Sequence, residues 1–256
     1  MHVLTPGAPP DAPALAPASP HPRPTPAARL IALVEVVLCS GFPTQLLLIA
    51  LLQAAGWGPF DAAGRLSTGY VVTLTLADAT LVVALALTFL AGRGESPRDV
   101  FLGRRWPPRE VWIGALLVPF VFVGVVLLVG TIRVWLPSLH NVARNPLEDL
   151  LAPPADAGLF LAIAVVAGGL REEMQRAFIL HRFEQDLGGA GLGLVLFSIA
   201  FGAGHLDQGR DVAVATVGLG LFWGWLYLRR RSLVAPLANH VGFNLAQAAQ
   251  FLIFRA

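Results

Sequence analysis

Seven apolar runs punctuate the chain, at about residues 29–54, 68–91, 111–135, 157–183, 190–206, 211–228 and 232–254. Most are close to the ~20 residues that a helix needs to cross a hydrocarbon core, and the stretches between them collect proline, glycine and arginine. The pattern predicts an all-α fold, a polytopic membrane helix bundle of about seven transmembrane helices. The linker 137–156 reads PSLHNVARNPLEDLLAPPAD, with prolines near both ends and an acidic middle, and predicts a short interfacial helix around 146–151. Ahead of the first run, residues 1–26 hold nine prolines among Ala, Ser and Thr. That composition predicts a disordered or polyproline-like tail over 1–28, followed by one transmembrane domain over 29–256. The tail has no basic segment leading into an apolar one, so it does not read as a signal peptide.

Composition strengthens the membrane reading. Of 256 residues, 55% are hydrophobic and only 13% charged, where soluble domains carry about a quarter charged residues. Mean hydropathy is +0.67. All 18 basic residues are arginine, read as a compositional bias of a GC-rich genome, and the net charge of +2 gives no nucleic-acid signal. With the N-terminus inside, eleven arginines fall in inner segments and five in outer ones, and Arg171 and Arg176 are intramembrane. The excess predicts N-in, C-out, by the positive-inside rule. The localisation expected is a cell membrane, multi-pass, in a bacterial inner membrane. Cys39 is the single cysteine and forms no internal disulfide. Glycines crowd runs five and six, where small residues let helix backbones approach closely.

Against that background a few polar residues stand out: Glu35, Asp78, Arg171, Glu172, Glu173, Arg176, His205, His240 and Asn244. Ionisable groups inside a bilayer are costly, about 2.5–3.5 kcal/mol each for Asp or Arg at a helix centre, so they are either functional or mutually paired. In LREEMQRAFILHR, at 170–182, Glu172 and Arg176 are i and i+4 and predict a pair on one helix face, with Glu173 turned about 100° away. Two carboxylates in different settings suit general acid/base chemistry; the competing reading is an ion pair that merely neutralises itself. In SIAFGAGHLD, His205 follows Phe201 by four residues at the end of an apolar helix. In NHVGFNLAQ, His240 and Asn244 project from one face as two hydrogen-bond donors, fit for an oxyanion or for interhelical hydrogen bonding. Asp78 is expected to pair with Arg171 or another buried arginine, and Glu35 to snorkel from a helix end.

Depth links these groups. The turn between runs four and five is near Gly188, with Glu172 sixteen residues before it and His205 seventeen after. At ~1.5 Å per residue the two are level in an antiparallel hairpin, and His240 and Asn244 lie ~14 and ~20 Å into the last helix. This common depth follows if the polar end HRFEQD extends past the bilayer.

Three motifs now stand in order on separate helices: Glu172-Glu173-x-x-Arg176, Phe201-x-x-x-His205 and His240-x-x-x-Asn244. Together they resemble the CAAX-protease and bacteriocin-processing family of intramembrane glutamate endopeptidases, which includes the type II CaaX endopeptidases and the bacterial Abi-type proteins. The resemblance covers about 110–254. It implies that Glu172 is the general base activating a water, assisted by His205; that His240 and Asn244 stabilise the oxyanion; and that Glu173, Arg176 and Phe201 support the site. The residues themselves leave open which glutamate is the base, and the resemblance favours Glu172. It implies a membrane protein or peptide substrate, a lipid bilayer as surroundings, no nucleic-acid partner and no cofactor. Glu172, Glu173, His205 and His240 could supply metal ligands, a reading the resemblance opposes. No GxSxG, GxSG or HExxH motif competes. Two other classes remain: a nonenzymatic scaffold or immunity protein that uses the polar cluster as interhelical glue, and a proton-coupled transporter, for which Asp78 among threonines is the best feature.

Overall fold

The computed structural model describes residues 24–62, 64–143, 158–159 and 162–255. Most of the predicted tail and the predicted interfacial helix at 146–151 lie outside the described residues. The protein is a helical membrane bundle. In chain order the helices are α1 (Pro26–Cys39), α2 (Phe42–Ala54), α3 (Thr68–Gly92), the short α4 (Pro97–Phe101), α5 (Pro107–Trp135), α6 (Glu172–Gln185), α7 (Ala190–Ala203), α8 (Arg210–Arg230) and α9 (Val234–Arg255). A π-helical segment, Ala164–Arg171, runs directly into α6.

Helix starts follow from local chemistry. Thr25 Oγ1 accepts from the Ala28 amide, with Pro26 in the first turn; Ser67 caps α3 and Ser96 caps α4 in the same way. The α6–α7 hairpin turns at Gly188 and Gly189, whose φ angles of 95° and 106° suit glycine. α3, α5 and α8 are long and apolar enough to cross a membrane, and the bent pair α1–α2 would count as a fourth span. Length and apolarity therefore account for three or four of the seven predicted spans among the described residues. α7 has only 14 residues, or ~21 Å. Large apolar side chains such as Phe120, Leu116 and Leu46 face outward, as a lipid-facing surface requires.

The run at 29–54 is two helices, not one, with a bend of 46°. Pro43 has no N–H for the carbonyl four residues earlier, that of Cys39. Gln175 of α6 takes that role, its Nε2 donating to the Cys39 carbonyl at 2.7 Å. Gly41, at φ 86°, makes the corner, and a Cβ there would strike the guanidinium of Arg171. The break therefore admits side chains from α6 and the π segment.

The most polar of the membrane-bundle helices, α6, is also among the most buried. In α6, Glu173, Gln175, Arg176 and Arg182 are buried alongside Phe178, Ile179 and Leu180. Its charges are answered by neighbours. Glu35 does not snorkel: it is buried and paired with Arg93 Nε at 3.0 Å and Arg182 Nε at 2.5 Å. Arg182, one of the eleven arginines assigned to inner segments, is fully buried and also reaches Glu95 at 2.5 Å. Arg93 closes the group on Asp186 at 2.7 Å. Burial works to raise the Glu95 pKa, but hydrogen bonds from Arg182 and Gln185 and the charge of Arg182 hold it below the usual carboxylate range.

Candidate active site

The π segment sets the register in which α6 presents its glutamates. π turns are rare and recur at functional sites. Glu172 is the first residue after it, with 17% of its side chain exposed, while Glu173 is 1% exposed. The two neighbours meet different surroundings. Glu173 is held by Arg176, three residues on, and by His240 Nδ1 at 2.9 Å from Oε1. The predicted Glu172–Arg176 pair does not form. Arg176 leans instead toward α7 and α8, where its guanidinium carbon lies 5.0 Å from the Phe201 ring, 5.4 Å from Trp223 and 5.7 Å from Phe197. Cation–π attraction to three rings draws Arg176 to the side of α6 that carries Glu173. Glu172 is left facing a cavity.

That cavity has a volume of about 1150 Å³. Glu172, Phe201, His205, His240 and Asn244 all line it, together with Gly168, Asp78, Arg171 and Trp223. His240 Nε2 lies 3.7 Å from Glu172 Oε2, so the ring bridges the space between the two carboxylates. His205 follows the end of α7, in the turn before α8, with its ring edge-on to Phe201 at 4.9 Å. Its Nδ1 is 2.8 Å from the Phe201 carbonyl. A carbonyl only accepts, so Nδ1 carries the proton, and in the neutral ring Nε2 holds the lone pair. Asn244 sits beside Gly168 of the π segment: a Cβ at Gly168 would come within 2.8 Å of Asn244 Nδ2 and 3.9 Å of His240 Nε2. The bare glycine keeps that space clear.

Asp78 is paired, as its surroundings in the sequence suggest. Arg171 Nη2 meets Asp78 Oδ2 at 2.5 Å, and Thr44 Oγ1 donates to Oδ1 at 2.6 Å. Among the described residues no three His, Cys, Asp or Glu side chains are grouped as metal ligands; His240 Nδ1 is committed to Glu173.

The structure brings the seven named residues of the three motifs into one assembly: four line the cavity together with Phe201, and Glu173 and Arg176 lie buried beside them. Three further residues escape sequence reasoning. Trp223 stacks on His240 with ring centroids 3.7 Å apart and planes 15° from parallel. Asn239 accepts from the Trp223 indole at 2.8 Å. Gly168 clears the space at Asn244. Asn239 had a faint signal, an amide directly before His240 in the stretch NHVGFNLAQ. Trp223, within an aromatic run, and Gly168, among other glycines, had none.

Residues 153–246 match the model of the family described as type II CAAX prenyl endopeptidase, Rce1-like. The matched stretch is narrower than 110–254. It takes in the π segment, α6, α7, α8 and the first half of α9, and so contains every residue of the assembly named in the three motifs. The ordered motifs resemble the same group of type II CaaX endopeptidases, and the description supports a peptidase. No curated protein and no solved structure matches the chain.

Proposed function

We propose that the protein is an intramembrane glutamate endopeptidase that hydrolyses peptide bonds of membrane-associated proteins or peptides. The observation that carries the proposal is the convergence of Glu172, His205, His240 and Asn244 on one cavity while the adjacent Glu173 is buried and paired. A base must be reachable by water and substrate, and of the two glutamates Glu172 is the one at the cavity.

In this reading Glu172 takes a proton from a water that His205 helps to orient through Nε2. The hydroxide attacks the scissile carbonyl. Charge develops on the carbonyl oxygen, where the Asn244 amide N–H donates, and so does His240 Nε2 when the ring is protonated, its Nδ1–H remaining on Glu173. Glu172 then returns its proton to the leaving amine, so one carboxyl group serves as base and then as acid. Glu173 and Arg176 fix the site without touching substrate. The family's description points to prenylated C-terminal peptides as a substrate class, and the apolar cavity wall formed by Val125, Val126, Val129 and Phe251 suits a lipidated segment.

The test is cleavage of a quenched peptide library by the purified protein in detergent, with and without EDTA, beside Glu172→Gln, and with prenylated and unmodified versions of the preferred peptide. Cleavage that resists EDTA and vanishes in the variant supports the glutamate mechanism. Cleavage abolished by EDTA and restored by zinc overturns it in favour of a metallopeptidase.

A further inference from the structure

His240 stands between both glutamates, and its usefulness depends on how its ring is turned. Nδ1 must meet Glu173 at 2.9 Å while Nε2 faces Glu172 at 3.7 Å and the cavity. A rotation of the ring plane by a few tens of degrees would break the first contact and aim Nε2 away from the space beside Asn244. Glu173 fixes one edge of the ring; an in-plane contact does not by itself stop the ring from tilting.

Trp223 supplies the missing restraint. Its indole lies almost flat on the imidazole, 3.7 Å between centroids and 15° between planes, and it is only 1% exposed. The indole is itself held at its polar end: Nε1–H donates to Asn239 Oδ1 at 2.8 Å, and Asn239 Nδ2 donates to the Gly114 carbonyl of α5 at 3.0 Å. Gly114 permits that reach, since α5 and α9 pack so closely there that a Cβ would collide with the Ala235 carbonyl. Trp223 also faces Arg176, the second partner of Glu173, at 5.4 Å, and meets Phe201 edge-on at 6.4 Å. One indole thus borders both groups that hold the buried carboxylate. Asn239 and Trp223 are fully or almost fully buried, and their polar atoms are spent on each other and on the α5 backbone.

We propose that Trp223, oriented by Asn239 against the α5 backbone, is a positioning residue that sets the plane of the His240 ring and so aims Nε2 into the cavity. The proposal rests on the reading of His240 as an oxyanion donor and names what makes it one. α5 lies outside the matched family segment, so the anchor at Gly114 comes from the part of the chain that the family model does not reach.

The test is steady-state cleavage in detergent by Trp223→Phe, Trp223→Leu, Asn239→Ala and the double variant Asn239→Ala/Trp223→Phe, each with a thermal melt, beside Glu172→Gln. Misplacing a catalytic group by about 1 Å can cost 10²-fold. Trp223→Leu, which loses both stack and hydrogen bond, is expected to lower kcat by about that factor with KM little changed. Trp223→Phe keeps a ring to stack on and loses the anchor, and kcat should fall by only about tenfold. Asn239→Ala should match it, and the double variant should be no worse than either single one, because both act through the same indole. Additive losses in the double variant, or losses that follow the melting temperature or appear in KM alone, overturn the proposal and leave the peptidase reading intact. Should Trp223→Leu fail to fold, Trp223→Phe and Asn239→Ala still decide the matter. Full activity in Glu172→Gln would instead overturn the underlying mechanism, and the positioning role with it.

Discussion

Two groups of charged residues share α6, about 15 Å apart along its axis. Around Arg182, the carboxylates of Glu35 and Glu95 meet the guanidinium, and Arg93 joins Glu35 to Asp186. Around Glu172 the pairing is incomplete by design of the packing: Glu173 takes Arg176 and one nitrogen of His240, and Glu172 is left at the cavity wall with His205, Asn244 and the other nitrogen. The same residue types serve as a fastening in one place and as presented chemistry in the other. What separates them is the neighbour each carboxylate finds. Where a helix from the N-terminal half packs against α6, the charge is neutralised; where α6 borders the cavity, one charge is spare. An inventory of buried charges would not tell the two apart.

The comparison is sharpened most by the glutamate pair. Glu172→Gln is expected to lower kcat by about 10³-fold, within the range that general acid/base groups contribute, with no change in the melting temperature in detergent. Glu173→Gln removes one partner of a buried cluster and should lower both activity and thermal stability. Equal behaviour of the two variants would erase the distinction drawn here. Next in size is Arg182→Met. Leaving Glu35 without that buried partner should cost about 3–5 kcal/mol of stability, seen as a lower denaturation midpoint, while kcat per folded molecule stays near the parent value. A selective loss of kcat would mean that the two groups communicate.

Gly168→Ala has a smaller expected effect. The new methyl would press on Asn244 Nδ2, the end of a side chain that can swing aside. Stability should hold, and kcat should fall by about tenfold, consistent with a displaced oxyanion donor. Unchanged kcat would remove Asn244 from the proposed role. Smallest is a pH effect in the fastened group. The lowered pKa of Glu95 contributes stability that is present above its unfolded value, near ~4.3, and that is lost as pH falls through the folded value. Glu95→Gln should abolish that part of the acid-induced loss in melting temperature and leave stability at neutral pH lower than that of the parent.

Much of this was legible in the pattern of residues. The apolar runs gave the helices, because a chain that must satisfy its backbone inside a bilayer has few alternatives to helix. The turn at Gly188, the pairing of Asp78 with Arg171 and the gathering of Glu172, His205, His240 and Asn244 on one cavity agree with spacing along the chain. Other expectations failed for identifiable reasons. The first run breaks at Gly41 because Pro43 frees a carbonyl that Gln175, more than a hundred residues away, then occupies. Helical spacing pairs Arg176 with Glu172, but i+3 and i+4 partners are nearly equivalent on a helix, and the rings of α7 and α8 choose between them. Position near a helix end puts Glu35 at a solvated edge, yet it is buried, because Arg93, just past the end of α3, and Arg182 of α6 reach it.

The sequence by itself determined the helical membrane character of the chain, the order of its motifs and the residue types of the candidate site, since these follow from apolar run length, local spacing and the cost of charge in lipid. Only the tertiary structure decided which glutamate faces the cavity, which is locked away, and that Trp223 and Asn239 frame His240. Those choices depend on contacts between helices far apart in the chain, where ring faces, a bare glycine and a freed carbonyl select among partners that local spacing leaves equal.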